Sequence, residues 1–351
     1  MKILYGVQAT GNGHITRARA MNKALKKTDL TIDYLFSGRD REQFFDMEEF
    51  GDFDCRSGMT FVTEAGNVKI FETAKQNKFR QLLRDIKTLD LSSYDLVLTD
   101  FEPITAWAAK LQGKQSVAIG HQYAFDHKIP KCGNNPITAL FMQYFAPASI
   151  RLGLHWHHFD CPILPPIADT HDQAIATVDN KILVYLGFEK QNEILELIKP
   201  FTDFDFYVYG KVDQAEDNGN VKLRPLSREG FLNDLASCNG VITNAGFELA
   251  SEAIHLGKKL LVKPLKGQME QLSNAKALEQ LNLGMSMNQL DRTVLKDWLD
   301  NFIGKRVIYP DVAHALAQWI QSGDWHNVEM LAKELWDKVS SPDLPNFIDT
   351  F

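Results

Sequence analysis

A histidine and an aspartate at the ends of two apolar runs could do proton chemistry in this chain. Gly11-Asn12-Gly13-His14 follows the first run, and Asp100 closes a second one at 94–99. Imidazole titrates near neutrality, so a histidine held in a cleft can take the proton of a hydroxyl. An aspartate hydrogen-bonded to that ring fixes its tautomer and stabilises the imidazolium. Both residues also have an ordinary reading: a helix-start or anion contact for His14, a strand-end carboxylate for Asp100. A dinucleotide fingerprint would need GxGxxG. Here Thr16 stands at the third glycine position and no acidic residue closes the next strand, which excludes a dehydrogenase. His155, His157 and His158, beside Asp160, raise the question of a metal, but a strand end entering a linker accounts for their spacing.

A second constellation runs Val241-Ile242-Thr243-Asn244-Ala245-Gly246-Phe247-Glu248-Leu249-Ala250-Ser251-Glu252. A strand ends at Thr243, and a tight turn at Ala245-Gly246 aims the next helix outward from the sheet edge. The free N–H groups of Phe247, Glu248 and Leu249, reinforced by the helix dipole, can bind phosphate without a cationic side chain. Glu252 lies one turn after Glu248 on the same face, where its carboxylate can accept both hydroxyls of a ribose. The helix stops at Gly257. After another strand and Pro264, Glu270 and Gln271 open a helix that continues through Asn274-Ala275. An adjacent carboxylate and amide can read neighbouring sugar hydroxyls. Gly187-Phe188, after a further strand, is a second turn suited to a diphosphate. Gly13 is a third place where backbone can approach a ligand. Each glutamate taken singly is more often a solvated helix residue; the ordered series carries the information.

These residues need a scaffold in which strands and helices alternate, and the pattern supplies one. Lys2–Gln8, Thr31–Ser37 and residues 94–99, 115–120 and 150–154 read as strands; 15–27 and 104–111 read as helices. Cys161-Pro162-Ile163-Leu164-Pro165-Pro166 cannot lie inside a helix or a central strand, and reads as a linker. A second alternation follows, with strands at 182–186, 204–209, 240–243 and 259–262 and helices at Gln191–Ile198, 231–236, Phe247–His255 and 271–281. The fold class is α/β, in two tandem units. Ligands of such sheets bind at the carboxyl ends of the strands, so two facing units make a cleft.

The 351 residues suit two domains, and the net charge of −7 argues against a general nucleic-acid binder. Four scattered cysteines, Cys55, Cys132, Cys161 and Cys238, show no CxxC spacing, so neither a zinc site nor a redox pair is expected. Reduced thiols, the lack of a signal peptide and the lack of a long apolar run predict a cytoplasmic protein. Residues 140–145, with Lys128, Lys131 and Arg151 nearby, leave two readings open: a membrane-surface patch giving weak peripheral contact for a lipid acceptor, or a packed core helix.

The order Gly-turn, Glu252, Gly257, Pro264, Glu270-Gln271, Asn274-Ala275 resembles the donor-binding segment of GT-B glycosyltransferases. It is similar to the UDP-glycosyltransferases and to the lipid-linked N-acetylglucosaminyl transferase of peptidoglycan synthesis. The resemblance implies two Rossmann-like domains facing each other across a cleft. Residues 1–160 would form the acceptor side and 161–351 the nucleotide-sugar donor domain, the last helix packing back on the first. It implies that Glu252 holds the ribose, that Glu270 and Gln271 contact the donor sugar, and that Gly246, Phe247, Glu248 and Leu249 hold the diphosphate, with Gly13 and Gly187. The GxGH turn would carry the general base, His14. Asp100-Phe101, with Trp107-Ala108 downstream, looks like the stretch whose aspartate orients it. The implied reaction is inverting transfer from a UDP-sugar to a hydroxyl of a carbohydrate, lipid or small-molecule acceptor, with no metal and no cofactor. Plant-type members carry histidine where Asn244 stands, and small or polar residues at Glu248 and Leu249, so diphosphate contacts here would depend on backbone amides. Two rival readings remain. GxGH followed by Arg17 also resembles the UDP-sugar hydrolase of pseudaminic acid synthesis, in which water replaces the acceptor. A non-catalytic nucleotide-sugar-binding protein would keep the donor segment without turnover.

Overall fold

The computed structural model describes residues 1–59, 63–64, 67–68, 79–133, 140, 142–168 and 177–344. In chain order the first unit has strands β1 (Lys2–Gln8), β2 (Thr31–Ser37), β3 (Asp54–Arg56), the short pair β4 (Thr63–Glu64) and β5 (Asn67–Val68), then β6 (Leu96–Asp100), β7 (Ser116–Gly120) and β8 (Ile150–Gly153). Six of them form a parallel sheet of order β3-β2-β1-β6-β7-β8. Helices α1 (Asn12–Leu25), α2 (Phe79–Thr88) and α3 (Pro103–Gln112) accompany it. Its strands are continuous apolar runs because helices cover both faces; Ile3, Tyr5, Val7, Leu96, Leu98, Val117 and Ile119 are wholly buried. Strand order reverses between β1 and β6, and ligands of open parallel sheets bind in the crevice at such a reversal. His14 stands at the start of the helix after β1, and Asp100, paired in register with Val7, ends β6.

The second sheet has the order β11-β12-β10-β9-β13-β14-β15. Its strands are β9 (Val178–Tyr185), β10 (Asp205–Gly210), β11 (Glu216–Asn218), β12 (Val221–Pro225), β13 (Cys238–Asn244), β14 (Lys259–Lys263) and β15 (Met285–Ser286), all parallel except β11 against β12. Helices α4 (Gln191–Ile198), α5 (Arg228–Ser237), α6 (Phe247–His255), α7 (Met269–Gln280) and α8 (Arg292–Asn301) belong to this half. Here the order reverses between β9 and β13. The Gly187 turn follows β9 and α6 follows β13, so both candidate diphosphate turns lie at the reversal.

Three differences from the sequence reading have physical causes. Helix α1 begins at Asn12, not residue 15, because extended Gly11 serves as its N-cap. Gly13 therefore lies in the first helical turn rather than in the loop before it. A glycine there weakens the helix, but a Cβ at Gly13 would sit 3.3 Å from the Glu248 carboxylate of the other unit, so the small residue permits that approach. The proline-rich segment is packed rather than free: the Leu164 N–H bonds the Gly153 carbonyl, the His155 N–H bonds Leu164, and Ile163 and Leu164 are wholly buried. Finally, β3, β11, β12, β15, α2 and α8, with α9 (Val312–Ser322) and α10 (Val328–Trp336), have no counterpart in the sequence reading: the strands are short or polar, and α9 and α10 are ordered by what they pack on. Helix α9 crosses back to the first unit, where its Val312 and Ala313 border Ala20 and Ala24 of α1. The Trp336 indole of α10 donates to the Ile163 carbonyl at 2.6 Å.

In the segment at 140–145, Phe141 lies outside the described residues. Phe145 is buried against Phe101, while Leu140 and Tyr144 are exposed. Arg151 is committed to Asp126 at 3.0 Å.

One glycine lets β8 approach the His121–Asp126 turn closely. A Cβ on Gly153, at the end of β8, would lie 2.7 Å from backbone atoms of Ala124. Backbone cannot rotate away, so Gly153→Ala should destabilise the protein by about 1–3 kcal/mol, as overpacking does. It should also shift the His121–Asp126 turn. Urea denaturation matching the parent protein would contradict this.

Candidate active site

The two unit ends meet in one polar network. His14 Nδ1 lies 2.6 Å from Asp100 Oδ1. A carboxylate only accepts, so this hydrogen bond needs the proton on Nδ1 and then leaves Nε2 as the ring's basic nitrogen; Arg17 Nη2, which can only donate, lies 2.9 Å from the same Nδ1 and would favour the other tautomer. Asp100 is wholly buried, and a guanidinium that sequence reasoning did not place there grips it from the other side. Arg17 Nε donates to Asp100 Oδ2 at 2.7 Å, and Arg17 Nη2 donates to Oδ1. Position explains the pairing: Arg17 falls one helical turn after His14, on the same face of α1. Burial pushes the Asp100 carboxyl up, but the Arg17 charge, then His14, outweigh it and hold it below the usual carboxylate range. The aspartate is therefore an anion shared between a cation and an imidazole.

Arg17 also spans the cleft. Its Nη1 donates to the Glu248 carboxylate, in the first turn of α6. Glu248 is not a solvated helix residue, since its side chain is 13% exposed. An acid in the first turn of α6 is favourable on dipole grounds, and the ion pair joins α6 to α1.

Beside this pair the units pack through rings. The His121 imidazole lies flat on Phe247, centroids 4.0 Å apart and planes 5° from parallel. Its Nε2 is 2.6 Å from Asn274 Oδ1, and Asn274 Nδ2 donates to the Ala245 carbonyl at 3.0 Å. Asn274 thus ties α7 to the turn before α6. Phe247 itself is 3% exposed, which leaves its backbone rather than its ring for a ligand.

The sequence profile of glycosyl transferase family 1 matches residues 1–303. The chain belongs to this family. It is a glycosyltransferase of the GT-B fold. Its structure is similar to the spinosyn forosaminyltransferase SpnP (TM-score 0.57, 12% identity, 96% of this chain and 95% of that one). It is similar also to the glycosyltransferase VinC in complex with dTDP (0.54, 13%, 96% and 99%). MurG of Acinetobacter baumannii is a third such structure (0.53, 13%, 96% and 99%). No curated protein matches by sequence.

The remaining sequence candidates of this glycosyltransferase are placed as follows. Glu252 is 5% exposed on α6. Glu270, at the start of α7, accepts from Gln122 Nε2 of the first unit at 3.2 Å. Gln271 is 5% exposed, and its Oε1 accepts from the Leu265 N–H at 2.9 Å, which holds the β14–α7 connection. Leu249 is half-buried beside the core. Gly187 borders the Tyr185 ring, which a Cβ added to the glycine would meet at 3.7 Å. Its turn is braced by a buried ion pair that no local pattern announced: Lys263, ending β14, donates to Glu189 at 2.6 Å, each side chain 5% exposed. Among the described residues no group of histidine, cysteine, aspartate or glutamate could hold a metal ion, and no helix is long and apolar enough to cross a membrane.

Proposed function

We propose that this glycosyltransferase moves a sugar from a nucleotide diphosphate sugar, UDP-linked, to an acceptor hydroxyl with inversion, His14 acting as general base. The observation that carries the reading is the 2.6 Å contact between His14 and Asp100 at the strand reversal of the first sheet, with the α6 N-terminus brought to it by Arg17 and Glu248. His14 Nε2 takes the acceptor proton. The acceptor oxygen then attacks the anomeric carbon from the face opposite the leaving diphosphate, whose charge is received at the α6 N-terminus. A helix terminus can do this without a metal. The bound dTDP of VinC supports a nucleotide donor of this kind.

Glu252 is assigned to the ribose, and Glu270 with Gln271 to the donor sugar. Glu252→Ala should weaken UDP binding by about 1.5–3 kcal/mol, the worth of hydrogen bonds to a charged group. Calorimetry giving unchanged UDP affinity in a folded variant would remove Glu252 from the site. The overall reading is tested by incubating the protein with a panel of nucleotide sugars, with and without acceptors. Inverted glycoside product supports transfer. Rapid release of free sugar without acceptor supports the hydrolase, and binding without turnover across the acceptor panel supports a sensor.

A further inference from the structure

Two arginines reach the Gly11–His14 turn, and they differ in one respect. Arg17 has two carboxylate partners, Asp100 and Glu248. Arg39, which follows β2, has none among the described residues. Its Nε donates to the Ala9 carbonyl, and both Nη1 and Nη2 donate to the single Asn12 Oδ1, each at 3.2 Å. A guanidinium fork is built to meet two oxygens of a carboxylate or phosphate in parallel. Here one neutral amide oxygen stands in for that pair. Arg39 is half-buried, with its charge 5.4 Å from the centre of the Phe44 ring. Burial lowers its pKa, and among the described residues Tyr185 alone opposes this. A partly desolvated cation normally keeps a counter-ion, because an unpaired one is costly. Its place is also telling. Asn12 stands two residues before His14, and its Nδ2 lies 3.5 Å from the Tyr185 hydroxyl at the end of β9. The cation therefore borders the cleft between the reacting side and the Gly187 turn.

We propose that Arg39 is the cationic element of an oxyanion site, which binds a phosphate or carboxylate group borne by a substrate of the transfer. The fork leaves Asn12 Oδ1 for the oxyanion, and Asn12 Nδ2 remains as a further donor to it. The proposal rests on the reading of His14 as the reacting centre for the role of the group, but not for its binding. The oxyanion can belong to the acceptor or to the donor diphosphate.

The test is calorimetric titration of inorganic phosphate, UDP and uridine into the parent protein and into Arg39→Gln, Arg39→Lys and Asn12→Asp. In the Asn12→Asp protein Arg39 stays in place and gains an internal carboxylate, so a folding defect from losing arginine cannot explain its result. If the acceptor carries the group, phosphate still binds to UDP-saturated protein. Arg39→Gln and Asn12→Asp then weaken that binding about 10–100-fold, and Arg39→Lys retains part of it. If the donor carries it, UDP affinity falls by that factor in the same two variants while uridine affinity holds. Either pattern supports the site. Phosphate and UDP affinities unchanged in both variants, or no phosphate binding in the parent together with unchanged UDP affinity, would overturn it. Failure of transfer with every donor and acceptor would sink the proposed reaction, yet leave these binding results to decide on Arg39.

Discussion

His14→Ala lowers turnover by about 10²–10⁴-fold while donor affinity is largely kept, the usual worth of a positioned general base. Asp100→Asn acts on the same step. An asparagine offers the imidazole an amide that can present either a donor or an acceptor, so the Nδ1–H tautomer is no longer enforced. Since Asp100 lies 2.6 Å from the ring, the two changes remove one device. The double variant should then lose little more than His14→Ala alone. Steady-state rates with a saturating donor measure this. A double variant whose loss equals the product of the single losses would break the dyad, and full activity in His14→Ala would dismiss the mechanism.

Arg17→Met should have the largest effect on stability, about 3–5 kcal/mol, because removing one partner leaves Asp100 buried without its cation. Both residues are at most 1% exposed, so solvent cannot substitute. Arg17→Lys should recover only part of the loss: the charge returns, but not the planar fork that meets both Asp100 oxygens. The pH dependence gives an independent check. Asp100 has a folded pKa below its unfolded value, so its contribution is present above the unfolded pKa and is lost as pH falls through the folded one. Without Arg17 the depression goes, and burial, which raises the carboxyl, is left to dominate. The stability gap between parent and Arg17→Met should therefore be widest near neutrality and narrow as pH approaches the unfolded value of about 4. Urea unfolding at several pH values reads this directly. A pH-independent gap would show that Arg17 acts by packing alone. Turnover separates a second role: as a positioning residue for His14, Arg17 should affect kcat more than the KM for donor.

Phe101 shows how the fold aims this network. It takes a positive φ of 52° immediately after Asp100, a conformation rare for a bulky residue. Its ring is held 4.8 Å from Phe145 and 5.8 Å from Tyr123. The next residue, Glu102, caps α3 by accepting from the Ile104 and Thr105 N–H groups. The chain thus reverses sharply at the strand end and leaves Asp100 facing α1.

The alternation of apolar runs with helical periods determined that there would be two parallel sheets, since a strand covered on both faces must be apolar throughout. The same runs located His14 and Asp100 at strand ends, and the glycine turn located α6, because glycine and proline act on the backbone locally. Lys2–Gln8, Thr31–Ser37, Gln191–Ile198 and Phe247–His255 could be read to the residue for that reason. The polar strand β12, second from the sheet edge, and the helices from α8 onward could not, since their order comes from what they pack on. Arg17 could have been noticed from its spacing to His14, but its two carboxylates could not. Asp100 is 83 residues away and Glu248 is 231 away, on the other unit. Gln122 against Glu270, His121 on Phe247 and the unmatched fork of Arg39 belong to the same class. The contacts between the units depend on how one sheet sits against the other, and those within the first unit, at Asp100 and Arg39, on how its own strand ends meet; neither leaves a periodic trace in the chain.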